Sequence, residues 1–276
     1  MGNLDGKVAI VSGSGRGIGR EIALKLASEE ASVVVNDLDA EPAKDTVAAI
    51  EAAGGTAVAC IGSVTDADFG ERFVQAAVDS FGGLDIIVNN AGYTWDTVIQ
   101  KMTDEQWDAI VDVHLKAPFR ILRAAQPVIS AAAKTAKDAG EAVPCRKVVN
   151  ISSIAGLGGN AGQINYAAAK AGVTGMTKTL AKEWGRYNVT VNTVAFGLIR
   201  TRLTEAPADG SSTIDVQGKE LKVGVNPDLL AAMEQQIPLG RAGTPAEAAA
   251  AVYMLCSPDS DYVSAQTLVC GGGFNL

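Results

Sequence analysis

In 276 residues there is a single histidine, His114, and only four cysteines, Cys60, Cys145, Cys256 and Cys270. The cysteines lie far apart, without the close pairs used by zinc sites and redox dithiols, so no metal centre is expected. They read as small buried hydrophobes of a reducing compartment. Cationic side chains are in deficit, 23 Lys and Arg against 31 Asp and Glu for a net charge of −8, which repels nucleic acid and anionic membranes before specific contact can form. No apolar run approaches the length needed to span a bilayer, and the start from Met1 to Gly6 has no apolar signal core. Gly6 also stands where a myristoylation signal would have Ser or Thr. The expectation is a cytoplasmic protein that acts on a small-molecule substrate, with no nucleic-acid or membrane partner.

Apolar residues, by contrast, are plentiful at 47%, enough to bury one large core. No Pro/Ser-rich linker divides the chain, so residues 1–276 are read as a single domain. Short β-branched runs alternate with helical stretches: Val8 to Val11, a helix from Ile18 to Ala27, Ser32 to Val35, Ala57 to Cys60, a helix from Phe69 to Phe81, and Asp85 to Val88. The rhythm continues with a helix from Trp107 to Ile129, Lys147 to Ile151, a helix from Ala167 to Trp184, Thr190 to Val194, a helix from Pro245 to Leu255, and Thr267 to Val269. Strands that are continuously apolar must be covered on both faces, which predicts an α/β, Rossmann-type doubly wound parallel sheet with helices on both faces. Two stretches break the rhythm. Ala131 to Arg146 reads as a helix end running into a polar loop, and Ala206 to Asn226 as a mobile flap near a site.

The first strand empties into Ser12-Gly13-Ser14-Gly15-Arg16-Gly17-Ile18-Gly19 directly before the first helix. Glycines there let the backbone approach a pyrophosphate, and the helix's free N–H groups face the anion. Eighteen residues beyond Gly19, the next strand ends in Asn36-Asp37, near the spacing of an acid that holds the adenosine ribose hydroxyls. Asp37 would repel a 2′-phosphate and so favours NAD over NADP. Arg16 pulls the other way, and Asp37 could equally be a helix cap.

Ser153 leaves the fifth strand, and thirteen residues later come Tyr166 and Lys170, four apart and on one helix face. A nearby ammonium stabilises a phenolate, which would bring a tyrosine toward working range as an acid-base group.

Together these residues resemble the short-chain dehydrogenase/reductase family over essentially the whole chain. Gly13-x-x-x-Gly17-Ile18-Gly19 is similar to its cofactor turn, Asn89-Asn90-Ala91-Gly92 to its sheet-stabilising motif, and Ser153, Tyr166 and Lys170 to its catalytic group; Gly197 to Thr201 and Gly271 to Gly273 fit as well. The resemblance implies that Tyr166 exchanges a proton with the substrate oxygen, that Ser153 orients that oxygen, and that Lys170 lowers the tyrosine pKa and binds the nicotinamide ribose. It places the cofactor against Gly13, Ser14, Arg16, Gly17, Ile18, Gly19, Asp37, Ser63, Val64, Asn90, Ala91, Gly92, Gly197, Ile199 and Thr201, with Ile199 and Thr201 at the carboxamide. It also implies a homotetramer packed through the helix of Tyr166.

Gly159 to Tyr166 is similar to 3-oxoacyl-acyl carrier protein reductases and to the 3-hydroxyacyl-CoA dehydrogenase domain of peroxisomal multifunctional enzymes. This implies a CoA- or carrier-linked acyl thioester, which Arg146, Lys147, Arg200 and Arg202 could meet. Three positions depart from the family pattern: His114 stands where an asparagine is usual, Ser63 where an aspartate is, and Phe196 where a proline is. His114 is expected to support catalysis by hydrogen bonding or proton relay. The rivals are a hydroxysteroid or other small secondary-alcohol dehydrogenase, a nucleotide-sensing regulator, and a hydrolase. The hydrolase fares worst, since no G-x-S-x-G elbow surrounds Ser153.

Overall fold

The computed structural model describes residues 2–201, 212–216, 218–223 and 227–274. Seven strands form one sheet: β1 (Val8–Val11), β2 (Ser32–Asp37), β3 (Thr56–Ile61), β4 (Ile86–Asn89), β5 (Arg146–Ser153), β6 (Val189–Phe196) and, after the hairpin described below, β9 (Thr267–Cys270). Their order is β3-β2-β1-β4-β5-β6-β9, with every pairing parallel. The expected doubly wound α/β sheet is therefore present.

Helices α1 (Gly17–Ser28), α2 (Ala40–Ala52) and α9 (Pro245–Cys256) cover one face, and α3 (Phe69–Phe81), α5 (Ala117–Asp138) and α7 (Ile164–Trp184) the other. Strand alternation divides the core between them. Ala9, Val11, Val33, Val35, Ile86 and Val88 pack toward α1 and α9, while Val8, Ile10, Val34 and Ile87 pack toward α3 and α5. Both faces of β1 and β2 are thus apolar, which is why those strands read as unbroken hydrophobic runs.

The stretch read as a helix from Trp107 to Ile129 is longer and is broken in the middle. It runs as α4 (Asp104–Val111), a π-helical turn over Asp112–Lys116, and then α5 as far as Asp138. The wider turn carries His114, in keeping with the tendency of π-bulges to lie at functional positions. Thr103 and Gln106 close a reciprocal capping box that fixes the start of α4.

A short helix, α6 (Ala155–Gly158), follows β5, and α8 (Pro227–Gln235) precedes α9. Of the expected flap from Ala206 to Asn226, residues 206–211, 217 and 224–226 lie outside the described residues. Within it, β7 (Ser212–Val216) and β8 (Lys219–Val223) pair as an antiparallel hairpin, so that part of the stretch has regular structure. Strand order reverses between β1 and β4, and the carboxyl ends of those strands define the crevice in which such folds bind ligands.

Candidate active site

At the end of β1 the chain turns sharply, with Gly13 at φ +62° and Gly17 at φ +54°, a region that glycine enters without penalty. Close approach is a second requirement. A Cβ on Gly15 would lie 2.5 Å from Asp37 Oδ2 and one on Gly13 2.7 Å from Ala91 Cα, while one on Gly19 would run into the Gly13 carbonyl.

The turn is also bonded on every side. Ser12 Oγ accepts from the Asn90 and Ala91 N–H groups at 3.0 and 3.1 Å, and Asn90 Nδ2 donates to the Ser12 and Gly13 carbonyls at 2.9 and 3.0 Å. Ser14 Oγ donates to Val11 O at 2.7 Å and accepts from Asn36 N at 3.1 Å. Asn36 Oδ1 accepts from Gly13 N at 3.1 Å, while its amide donates to Cys60 O and Gly62 O at 3.0 and 3.1 Å. Asn36 thus ties β1 to β3. Sequence reading passed over it in favour of Asp37, although an asparagine ending an otherwise apolar strand was a usable signal.

This turn fits a dinucleotide pyrophosphate. Arg16 stands at the N-cap of α1 without a side-chain cap bond, and the first turn of α1 holds no acid. The leading N–H groups and the positive end of the helix dipole therefore face the glycine turn without a competing carboxylate. Asp37 ends β2 beside Gly15. Arg16 Nη1 lies 2.7 Å from Asp39 Oδ2 and 3.8 Å from Asp37 Oδ1, so the guanidinium is shared between two carboxylates. Ser63, at the position usually held by aspartate, bonds Thr65 Oγ1 at 2.7 Å, and Val64 is buried behind it.

The proton-handling groups gather where β4, β5 and α7 meet. Ser153 ends β5, and its Oγ accepts from Ala155 N at 3.2 Å and hydrogen-bonds Tyr166. Lys170 Nζ lies 5.6 Å from the Tyr166 ring centre and donates to Ile151 O at 2.7 Å. The helix that carries both sits close to its neighbours, because a Cβ on Gly156 would come within 2.7 Å of Lys170. A buried polar chain locks it to the sheet: Asn89 Nδ2 to Asn150 Oδ1 at 2.8 Å, Asn150 Nδ2 to Thr177 Oγ1 at 2.9 Å, and Thr177 Oγ1 to Thr193 Oγ1 at 2.8 Å.

The expected lowering of the tyrosine by the lysine is not seen in this cleft. Burial pushes Tyr166 up to about 12, opposed by the Ser153 hydrogen bond, and burial pushes Lys170 down to about 7. Desolvation acts on both groups against their charged forms and outweighs their proximity.

His114 joins this group from the π-turn. Its ring meets Tyr166 edge-on, with centroids 4.9 Å apart and planes at 87°. Nε2 lies 2.7 Å from Tyr93 O; a carbonyl can only accept, so Nε2 carries the proton and Nδ1 is the acceptor. Nδ1 is buried with no partner. Burial, followed by the charge of Lys170, holds the imidazole well below its usual range, so it is neutral.

On the other wall, Phe196 is buried and its carbonyl accepts from Ile154 N at 2.9 Å. A Cβ on Gly197 would meet Gly271 Cα at 2.8 Å, which explains glycine at position 197. Ile199 is buried and bridges to Gly243, Thr201 is the last described residue before the break, and Arg202 lies outside the described residues.

Two expectations fail. Arg146 and Lys147 begin β5, whereas Ser153 ends it, so they lie at the opposite edge of the sheet from the site. Both are buried, Arg146 3.7 Å from Asp85 and Lys147 2.6 Å from Asp261, and neither can meet a substrate thioester. The cysteines divide: Cys60 and Cys256 are buried, but Cys145 and Cys270 are only half-buried. Arg200 is paired with Glu234 at 2.7 Å.

A family model described as enoyl-(acyl carrier protein) reductase matches residues 13–275. Three curated relatives named 3-oxoacyl-acyl-carrier-protein reductase align end to end. The Vibrio cholerae protein is 37% identical over 274 residues, covering 99% of both chains. That of Thermotoga maritima is 36% identical over 270 residues, 98% of both, and that of a Synechocystis strain 38% identical over 275 residues, 99% of this chain and 98% of its own. The chain belongs to the short-chain dehydrogenase/reductase family. It is an oxidoreductase, and the family fold accounts for a glycine turn and a Ser–Tyr–Lys group meeting across one crevice. No helix among the described residues is long and apolar enough to cross a membrane.

Proposed function

We propose that this protein is an NAD(H)-dependent reductase of 3-oxoacyl thioesters, acting also in reverse on 3-hydroxyacyl thioesters, with Ser153, Tyr166 and Lys170 as catalytic residues. The observation that carries the reading is the joint presentation of the Ser153 hydroxyl and the Tyr166 phenol at the strand ends, next to a turn moulded for a dinucleotide. Bound nicotinamide supplies the hydride to the substrate carbon in reduction and takes it in oxidation.

Reducing a carbonyl leaves an oxyanion that must gain a proton. Ser153 and Tyr166 are two hydroxyl donors that can converge on one oxygen, and Tyr166, protonated at neutral pH, is set to deliver its proton there. This favours a C=O over the C=C that the family description names, since a carbon-carbon double bond presents no oxygen to that pair. Lys170, with its pKa near 7, can return a proton to the tyrosine, and the unpaired Nδ1 of neutral His114 offers an acceptor behind it. His114 is a positioning residue that also holds the loop at Tyr93. The acyl-thioester class comes from the names of the relatives, with CoA or an acyl carrier protein as the handle.

NAD is favoured over NADP because Asp37 stands at the ribose position and Arg16 is already shared between Asp37 and Asp39. A 2′-phosphate would meet two carboxylates there. The residues that would hold the dinucleotide are Gly13, Ser14, Gly17, Ile18 and Gly19 at the pyrophosphate, Ser63 and Val64 toward adenine, and Ala91, Gly92, Gly197, Ile199 and Thr201 toward nicotinamide. Asn90 acts through the turn it bonds. A homotetramer is part of the proposal, supported by the exposed apolar side chains of Phe119 on α5 and Ile164 on α7.

Parallel fluorescence titration with NADH and NADPH, followed by turnover of acetoacetyl-CoA, tests the reading. Preferential NADH binding with turnover is expected. Preferential NADPH binding would overturn the Asp37 assignment, and binding without turnover of any carbonyl would favour a nucleotide sensor.

A further inference from the structure

The segment after β4, from Gly92 to Val98, is held at four points, one on the π-turn and three at the start of α7. Tyr93 O accepts from His114 Nε2 at 2.7 Å, Trp95 O from Asn165 Nδ2 at 3.3 Å, and Asp96 Oδ2 from Gln163 Nε2 at 2.6 Å, while Thr97 N donates to Gly162 O at 2.9 Å. Gln163 is itself steadied by Asn160 Nδ2 at 2.9 Å. The Asp96 carboxylate is therefore fixed against the residue three positions before Tyr166, and its negative charge reaches the Tyr166 phenol. Asp96 keeps part of its surface in solvent, while burial around its carboxyl raises its pKa and the Gln163 hydrogen bond opposes that rise. Among the described residues no cation pairs with it, and the Lys170 ammonium points away to Ile151 O.

From this placement we infer that Asp96 is a specificity-determining residue that makes the site reject free 3-oxo acids and accept 3-oxoacyl groups whose carboxyl is masked as a neutral thioester, ester or amide. The inference rests on the proposed function, in which Ser153 and Tyr166 hold the 3-oxo oxygen. In a 3-oxo acid the carboxylate carbon is only two bonds from the reacting carbon, so its charge is carried along with the oxygen held beside Tyr166, on whose helix Gln163 anchors Asp96. Like charges brought within about 6 Å of each other in a partly screened cleft, with an effective dielectric of about 20 to 40, would disfavour binding by roughly tenfold to a hundredfold. A neutral carbonyl derivative incurs no such penalty.

The test compares kcat/KM for acetoacetate and acetoacetamide, near-isosteres that differ in charge, in wild type and in Asp96→Asn, Asp96→Ser and Asp96→Glu. Reading the ratio within each variant cancels any general loss of activity. Wild type and Asp96→Glu are expected to prefer the amide by about tenfold or more, and the two neutral variants to bring the ratio to within about threefold of unity. Asp96→Ser serves if Asp96→Asn does not fold. An unchanged ratio in the neutral variants would overturn the role of Asp96 alone, provided wild type still turns over acetoacetyl-CoA. If wild type turns over no 3-oxo compound, the proposed function fails and this inference with it.

Discussion

The glycine turn and the catalytic cleft lie side by side at the carboxyl end of the sheet, yet they use polar groups in opposite ways. In the turn, Ser12, Ser14, Asn36 and Asn90 are bonded among themselves and to the backbone, leaving a rigid mould. In the cleft, His114 Nδ1 has no partner, Lys170 is shifted to about 7 and Tyr166 to about 12. Saturated hydrogen bonding fixes shape, whereas burial without full pairing keeps proton affinity adjustable. Binding and chemistry should therefore fail separately when each region is altered.

The largest effect on cofactor binding and stability is expected from Gly19→Ala, whose Cβ would collide with the Gly13 carbonyl. It should cost about 1–3 kcal/mol of stability and weaken NADH binding at least about tenfold. Thermal unfolding and fluorescence titration read both, and unchanged binding would mean that the mould adapts. Asp37→Ser removes charge without disturbing the glycines and should shift the NADPH to NADH affinity ratio about tenfold toward NADPH; a constant ratio would place discrimination elsewhere.

Lys170→Met sharpens the contrast through pH. The unfolded chain keeps the lysine proton up to the ordinary 10.5, the fold only up to about 7. Between those values the unfolded chain binds the additional proton, so wild-type stability rises with pH through this window. The measurement is confined to pH 7–10, below the ordinary tyrosine value of 10 from which Tyr166 is raised. Denaturant unfolding should show wild type gaining on the methionine variant as pH rises, and parallel curves would contradict a depressed lysine. Arg16→Ala should matter least, within about fivefold for NADH, because an exposed ion pair is worth about 0–1 kcal/mol.

The order of the seven sheet strands and of helices α1, α3, α4–α5, α7 and α9 was legible because apolar periodicity is local and β1 and β2 are buried on both faces, whereas α2 and α8 were not named. The turn was legible because its requirements fall on consecutive residues. The clamp of Asp96 by Gln163 was not, since it joins positions 67 residues apart and depends on how one loop lies over a helix. His114 could be singled out as the only histidine, but its neutral state and fixed tautomer follow from burial and from the Tyr93 carbonyl. Arg146 and Lys147 were misplaced for a reason that strand polarity could have supplied: residues that open a parallel strand lie at the edge opposite the one where it ends. The pKa of Tyr166 was misjudged because spacing places a lysine beside a tyrosine without telling how deeply both are buried.

The division between mould and chemistry is tested most directly by Tyr166→Phe, assayed in parallel for NADH binding and for reduction of acetoacetyl-CoA. The expected result is a fall in turnover of about 10²–10⁴-fold with NADH affinity within about threefold of wild type. Equal loss of binding and turnover, or turnover that survives, would contradict the assignment of Tyr166 as the proton donor.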